Sequence, residues 1–368
     1  MAIGKRYNDG LLADTIDVRN GESLPWRSLV EHLRAVLPGL EGPFQVRQFP
    51  NGSANLTYLL VFGTTPLVLR RPPFGVIGPG AHDMRREHKV LSTLWRRFPP
   101  APRSHLFCDD HSIVGSDFVI MEYRNGDVMW GSLPESMRPI SDAPRRIAQT
   151  VVSALADLHA LDPQECGLAD LGRPEGFVER QVAGWAHRWS LVAPPEEDGL
   201  MPQLARLLSS SVPVSQRVSI LHNDYKIDNC QLVTGDPDRM SAIFDWDMST
   251  LGDPLVDLGT LLNYWPDPSD TQSARPLVPE GLENVGLPSR HEVAELYSAA
   301  SGLDLRDIGW YESFACFKTA VVLQQLFTRW VRGESTDPRM AERGAWVRPM
   351  VERAASLITG VPRSGSDR

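Results

Sequence analysis

The amino-acid sequence predicts an α+β fold of two lobes, a small β-rich N-lobe over residues 1–122 and a larger helical C-lobe over 123–368. Three observations predict it. Between residues 44 and 121, short runs rich in β-branched and aromatic residues are broken by Gly and Pro. Beyond residue 126, apolar residues recur at helical spacing over long stretches. Between the two patterns lies Tyr123-Arg124-Asn125-Gly126, a polar joint ending in glycine.

In the N-lobe, residues 44–49, 56–62, 67–71 and 118–121 read as strands. One helix is expected over 83–98, with Asp83 as its N-cap and Met84, Leu91, Leu94, Trp95 and Phe98 as its apolar stripe. In the C-lobe the clearest helix covers 141–161. There Ile147, Val151, Leu155 and Leu158 share a face, and Pro144 suits the first turn. Short β-like runs at 218–221 and 242–244 interrupt the helices, which resume at 254–264, 291–300, 308–331 and 340–357. Residues 360–368 read as a loose tail.

Composition narrows the function. Apolar residues make up 42% of the chain and charged residues 23%, as in ordinary globular proteins. No run reaches the roughly 18 apolar residues of a membrane span. Lys5 and Arg6 are followed by no apolar h-region, so a cytoplasmic protein without membrane attachment is expected. The four cysteines, Cys108, Cys166, Cys230 and Cys316, lie far apart without metal-site spacing, and reduced thiols are expected. A net charge of −9 argues against a nucleic-acid partner, which needs a concentrated basic face.

The strongest chemical signal is Leu221-His222-Asn223-Asp224-Tyr225-Lys226-Ile227-Asp228-Asn229, just after a short strand. It matches the kinase catalytic-loop pattern H-x-D-x-x-x-x-N. Phosphoryl transfer needs an acceptor for the proton of the attacking hydroxyl and, close by, a ligand for the metal on the phosphates. Asp224 would supply the first and Asn229 the second, with Lys226 reaching the γ-phosphate to offset developing charge. A plain Asp/Asn-rich turn between strands would use the same residue types. The tie is broken by Ala242-Ile243-Phe244-Asp245-Trp246-Asp247, an apolar strand ending in an acid. Asp245 beside Asn229 would complete a Mg²⁺ site of hard oxygen ligands, to which Asp247 adds a further contact.

With these motifs the chain resembles the aminoglycoside phosphotransferase-like kinases, especially the branch found as the N-terminal domain of acyl-CoA dehydrogenase fusions. The resemblance is carried by Gly52-Ser53-Ala54-Asn55-Leu56-Thr57, by Leu67 through Pro73, by Val119-Ile120-Met121-Glu122-Tyr123, by the catalytic loop, and by Phe244-Asp245-Trp246-Asp247 with the following Ser249 through Leu258. It implies a protein-kinase-like two-lobed fold. It also implies a transferase that moves the γ-phosphoryl group of ATP or GTP, with Mg²⁺, onto a hydroxyl of a small molecule. Asn223 stands where the family often has Gly, and Arg70 stands at the strand position where protein kinases place Lys. Arg forks onto phosphate oxygens without reproducing lysine geometry.

The remaining nucleotide-binding candidates fall in the N-lobe. Glu87 projects onto the apolar stripe of its helix, where a carboxylate is costly unless paired, and Arg70 is the expected partner. The alternative is a carboxylate reaching solvent at the stripe's edge. Gly52, Ser53 and Asn55 lie in a turn of small residues that would let backbone N–H groups approach phosphate, although an ordinary hairpin turn reads the same way. Met121, Glu122 and Tyr123 form the expected hinge along a purine edge.

Other signals read as structural. His159 is expected to be structural, His222 to brace the loop, and Asp253 and Asp257 to cap the following helix and favour its dipole. Trp185, Trp189, Trp265 and Trp310 are candidate acceptor-pocket walls or core. The branch resembled leans the acceptor towards a hydroxyacyl-CoA-like or related metabolite rather than an aminoglycoside. Two other classes remain open, a nucleotide-binding regulator with weak catalysis (a pseudokinase) and a metal-dependent hydrolase. The 308–331 helix leaves room for a homodimer, but core packing explains its apolar face more simply.

Overall fold

The computed structural model describes residues 15–50, 55–75, 82–195, 198–267, 270, 277–335 and 337–360. Its N-lobe is a five-stranded antiparallel sheet in the order β1-β2-β3-β5-β4. The strands are β1 (Phe44–Gln48), β2 (Leu56–Phe62), β3 (Thr65–Arg71), β4 (Ser104–Cys108) and β5 (Phe118–Glu122). On β2, Tyr58, Leu60 and Phe62 point into a separate N-lobe core with Leu69, Phe118 and Ile120. Helix α1 (Trp26–Val36) closes that core with Leu29 and Leu33; it has no counterpart in the sequence expectations.

The helix expected over 83–98 is shorter. It runs as α2 (Met84–Leu91), capped by the Asp83 carboxylate on the Arg86 N–H, and then tightens into a 3₁₀ turn at Leu94–Arg96. Ser92 and Thr93 interrupt it; their hydroxyls bond back to the carbonyls of Lys89 and Val90, a competition that weakens helices.

Beyond the short α3 (His111–Val114) and β6 (Asp127–Val128), the C-lobe is organised on α4 (Ala143–Ala160), with Pro144 in its first turn. Helices α5 (Phe177–Ser190) and α6 (Leu200–Ser210) follow, again not anticipated from sequence. Strands β7 (Ser219–Leu221), β8 (Cys230–Val233), β9 (Asp236–Ile243) and β10 (Thr250–Gly252) then frame the catalytic loop. β7 pairs with β10, and β8 lies between β6 and β9. The strand expected at 242–244 is the end of the longer β9.

Helices α7 (Leu255–Asn263), α8 (Arg290–Ser301) and α9 (Ile308–Val331) pack behind this frame, α8 starting in a Ser289–Glu292 capping box. The helix expected at 340–357 is divided into α10 (Arg339–Glu342), a 3₁₀ turn at Arg343–Trp346 and α11 (Val347–Thr359). Most of residues 360–368 lie outside the described residues. All four cysteines are buried and free. Among the described residues, no helix is long and apolar enough to cross a membrane.

Candidate active site

β7 ends at Leu221, and the next residues turn sharply: Asn223 holds a left-handed φ of 66°. Such a conformation is uncommon for a residue with a Cβ, with Asn among the most tolerant, which explains why Gly suits the position elsewhere. Asp245, after β9, is also left-handed, at φ 72°. Both strained residues flank the chemistry, as expected where surrounding contacts over-determine a site.

Those contacts are specific. Asp257 on α7 is fully buried and accepts the backbone N–H groups of His222 and Asn223, both at 2.7 Å. It also meets His159 Nε2 at 3.2 Å, while His159 Nδ1 contacts the Tyr297 hydroxyl at 2.7 Å. Burial opposes ionisation of Asp257, yet the hydrogen bond and charge of His159 hold its carboxyl below the usual range. The expectation that Asp257 serves mainly to cap a helix is therefore corrected: its carboxylate clamps the catalytic loop. Asp253 does bond the Leu255 N–H at the head of α7, and it also takes the Tyr311 hydroxyl at 2.7 Å.

His222 braces the loop as expected. Its Nδ1 accepts the Asp224 N–H at 3.3 Å, which leaves Nε2 to donate to the Phe244 carbonyl at 2.8 Å. Burial pushes its pKa down, in keeping with this neutral tautomer.

The structure links Asp224, Lys226, Asn229, Asp245, Asp247, Asn55, Arg70 and Glu87 in one network. Met121, Glu122 and Tyr123 lie at and just after the end of β5, and Gly52 and Ser53 lie outside the described residues. Lys226 Nζ is 3.3 Å from Asp224 Oδ2 and 3.8 Å from Asp228 Oδ2. Burial would lower the Lys226 pKa, but Asp224 and Asp228 raise it, so it stays protonated. Asn229 Nδ2 donates to the Asp224 carbonyl at 2.9 Å, and the Asn229 carbonyl accepts the Phe244 N–H, which sets the loop beside Asp245.

Arg70 on β3 joins the lobes. One guanidinium nitrogen pairs with Glu87 on α2 and the other meets Asp245 Oδ1 at 2.6 Å. The expected Arg70–Glu87 pair is thus formed in the interior. Burial pushes the Glu87 carboxyl up to about 7 against the pull of Arg70. Burial likewise opposes charge on Arg70, but Asp245 and Glu87 keep it cationic. Burial raises Asp245 too, yet Arg70 holds it below the carboxylate range, whereas burial and the Asp245 charge push Asp247 up to about 6.

A second tie crosses at Asn55, whose Nδ2 donates to Asp247 Oδ2 at 3.1 Å and whose Oδ1 contacts His82 Nδ1 at 2.8 Å. Met121 and Glu122 end β5, with Tyr123 the next residue, and the Glu122 N–H is taken by the Arg103 carbonyl at 2.9 Å.

The donor set suits Mg²⁺. Asn229, Asp245 and Asp247 offer only oxygens, and the use of Asn229 Nδ2 on the loop leaves its Oδ1 as a hard acceptor. Among the described residues no three His, Cys, Asp or Glu side chains cluster as a metal cage. Two carboxylates and an amide fit an ion whose shell is completed by phosphate oxygens and water.

Of the four tryptophans weighed as pocket walls, Trp265 and Trp310 are core residues that donate to the carbonyls of Pro288 and Leu208. Trp185 and Trp189 are buried, but among the described residues their indole N–H groups have no partner. Sequence reasoning missed Lys318, which reaches from α9 to the Asn223 carbonyl at 2.8 Å. Its signal was a lone cation within the apolar run Phe314 to Val321.

Arg70 on a strand paired to Glu87 on a helix, Asp224 with Asn229 five residues on, and Asp245 just after β9 form one linked constellation. A model of the phosphotransferase enzyme family matches residues 45–296, and the chain belongs to that family.

Acyl-CoA dehydrogenase family member 11 of Rattus norvegicus is 30% identical over 356 residues, which cover 94% of this chain and 44% of the relative. The chain therefore spans under half the length of that protein. A crystal structure of a provisionally named aminoglycoside phosphotransferase from Ralstonia eutropha is 28% identical at a TM-score of 0.75, covering 93% of this chain and all of that one. The fold is also shared with a thermostable mutant of the aminoglycoside phosphotransferase APH(4)-Ia, solved with AMP-PNP and hygromycin B. That chain is 16% identical at a TM-score of 0.57, with 90% of this chain and 98% of that one covered.

Proposed function

We propose that the chain transfers the γ-phosphoryl group of ATP or GTP to a hydroxyl of a small metabolite, with Asp224 as general base. The observation that carries this reading is the catalytic loop itself. Asp224 is held by His222, Asn229 and Lys226, and the whole loop is clamped by Asp257. The acceptor oxygen attacks the γ-phosphorus, the bond to the β-phosphate oxygen breaks, the nucleoside diphosphate leaves, and the hydroxyl proton passes to Asp224. Lys226 stays charged beside Asp224 and offsets charge on the phosphoryl oxygens in flight.

Asn229, Asp245 and Asp247 would hold Mg²⁺, which neutralises phosphate charge when bound. Arg70, set by Glu87, would meet the phosphates, while Gly52, Ser53 and Asn55 would cover them and Met121, Glu122 and Tyr123 would flank the base. The nucleotides held by structures of this fold, AMP-PNP among them, support the donor class. The relation to acyl-CoA dehydrogenase family proteins supports a hydroxyacyl-like metabolite as acceptor.

Asp224→Asn tests the reading. Transfer is expected to fall about 10²–10⁴-fold while nucleotide affinity survives, since a base contributes to the reaction and not to the resting complex. Unchanged turnover would remove Asp224 from the role. One observation favours a second reading, a nucleotide-binding regulator: Arg70 engages the same Asp245 that a metal would need. Mg²⁺-dependent nucleotide binding without transfer to any hydroxyl would favour it.

A further inference from the structure

We propose that the acceptor carries an anionic oxygen group, a carboxylate or a phosphate, held by Lys318, Arg188 and the indole N–H groups of Trp185 and Trp189. This deepens, and rests on, the assignment of Asp224 as base.

Lys318 reaches the carbonyl of Asn223, the residue before Asp224, so its ammonium lies one residue from the reacting centre. Its longer contact to Asn223 Oδ1, at 3.4 Å, uses little of its remaining capacity, and an ammonium has three donors. The Trp185 ring lies between α9 and its own helix as a platform for two cations. Lys318 Nζ is 5.7 Å from the ring centroid and Arg188 Cζ is 4.5 Å from it. Lys318 feels the carboxylates of Asp224 and Asp257 more strongly than the cations Lys226 and Arg188. Both carboxylates are already engaged, Asp224 by Lys226 and Asp257 by His222, Asn223 and His159, so donor capacity on Lys318 and Arg188 is left for an added acceptor.

The indole groups point the same way. Trp246, Trp265 and Trp310, all buried, donate to carbonyl oxygens at 2.7, 2.8 and 3.3 Å. Trp185 and Trp189, at 6% and 5% exposure, do not: each buries an N–H with no partner among the described residues. Spaced i and i+4 on α5, they share a helix face. Buried donors without acceptors are rare in folded proteins and call for a missing partner. The groups left with spare capacity, Lys318, Arg188 and the two indoles, are all donors, while the neighbouring Asp224 and Asp257 are already paired, so the complementary ligand is rich in acceptors and carries an anionic oxygen group. A polycationic aminoglycoside is opposed by the same field.

The test uses the full-length chain with four probes: 3-hydroxybutyrate, glycerol 3-phosphate, glycerol and kanamycin. Binding is followed by calorimetry and by tryptophan emission. The two anions are expected to bind and shift emission, and the tighter of the two identifies carboxylate or phosphate as the preferred group. Glycerol and kanamycin are expected to do neither. Lys318→Met should weaken anion binding about tenfold or more, the scale of a charge-assisted hydrogen bond. Because Lys318 also supports the loop, two further variants carry the test. Arg188→Gln removes no hydrogen bond or ion pair to the catalytic loop among the described residues, and Trp185→Phe keeps an aromatic face while losing the indole N–H and part of the ring. Each should weaken anion binding severalfold while the protein remains folded and cooperative in thermal melts.

Anion affinities unaltered in all three variants, no anion binding in the wild type, or preferential binding of kanamycin would overturn the proposal. Asp224-dependent transfer to glycerol or kanamycin, with no anion binding, would leave the kinase reading intact and sink the subsite alone. Anion binding that responds to the variants, without transfer to any acceptor, would uphold the subsite and count against the kinase reading.

Discussion

At Asp257 a single buried carboxylate accepts two consecutive backbone N–H groups and faces a histidine, so three donors depend on it. Asp257→Asn replaces one acceptor oxygen by a donor and turns one bond into a clash of two N–H groups. The expected cost is about 1–3 kcal/mol, the penalty of an unsatisfied buried donor, and it is read from urea denaturation. Since the freed donors belong to His222 and Asn223, kcat should fall with it, while a purely structural residue elsewhere in α7 would lower stability alone. Asn223 is held in its left-handed turn by this clamp, by Lys318 and by the Met248 carbonyl, which accepts its Nδ2 at 3.1 Å. Arginine at position 70 departs from the lysine of protein kinases, and the fork explains its use here: two nitrogens reach two carboxylates on different elements.

Helix α7 presents Asp257 at a depth set by how closely it approaches α9. Gly259 is the point of contact, where a Cβ would sit 2.6 Å from the Tyr311 carbonyl oxygen, a backbone atom that cannot swing aside. Gly259→Ala should therefore push the two helices apart and cost about 1–3 kcal/mol, as overpacking does, visible as a lower melting temperature. It should also displace Asp257 and reduce turnover.

Elements with a strong local pattern were legible in the sequence. The strands at β2 and β5, the helix α9 and the Asp83 cap follow from periodicity and capping chemistry alone. The break after α2 was not legible, because Met84 to Phe98 keep their apolar stripe while the Ser92 and Thr93 hydroxyls quietly undo the helix. Likewise Asp224, Asn229 and Asp245 were legible from their spacing along the chain. Asp257 and Lys318 were not, since their partners are set by tertiary packing across more than thirty residues. Asp257 also resembles an ordinary acid in a first helical turn.

For the molecule as a whole, burial lowers the pKa of His222 as well as His82, His88 and His105. A lowered histidine binds its proton later in the folded state than in the unfolded chain, whose imidazole titrates near 6.5. Stability from such a group is complete above that pH and is lost as pH falls below it. For fully buried His222 the slope reaches at most about 1.4 kcal/mol per pH unit. Glu87 and Asp247, pushed up to about 7 and about 6, act in the opposite sense: they favour the fold at low pH and lose that contribution as pH rises. Urea titrations of wild type and His222→Asn between pH 7.5 and 5.5 separate the two, with a shallower acid-side decline expected in the variant. Equal slopes would mean that His222 does not set the acid limit.

The two partners of Arg70 belong to different lobes, Glu87 to the upper and Asp245 to the lower. The guanidinium is therefore a crosslink and, at Asp245, a rival for any divalent cation. A cation taking Oδ1 of that carboxylate would displace Arg70 and loosen this tie between the lobes, whereas one taking Oδ2 would leave it in place. By the reciprocity of linked equilibria, the factor by which this contact resists the metal is the factor by which the metal unlocks the contact. If Asp245 holds the metal through Oδ1, one side chain would couple loading of the site to the freedom of the lobes to part.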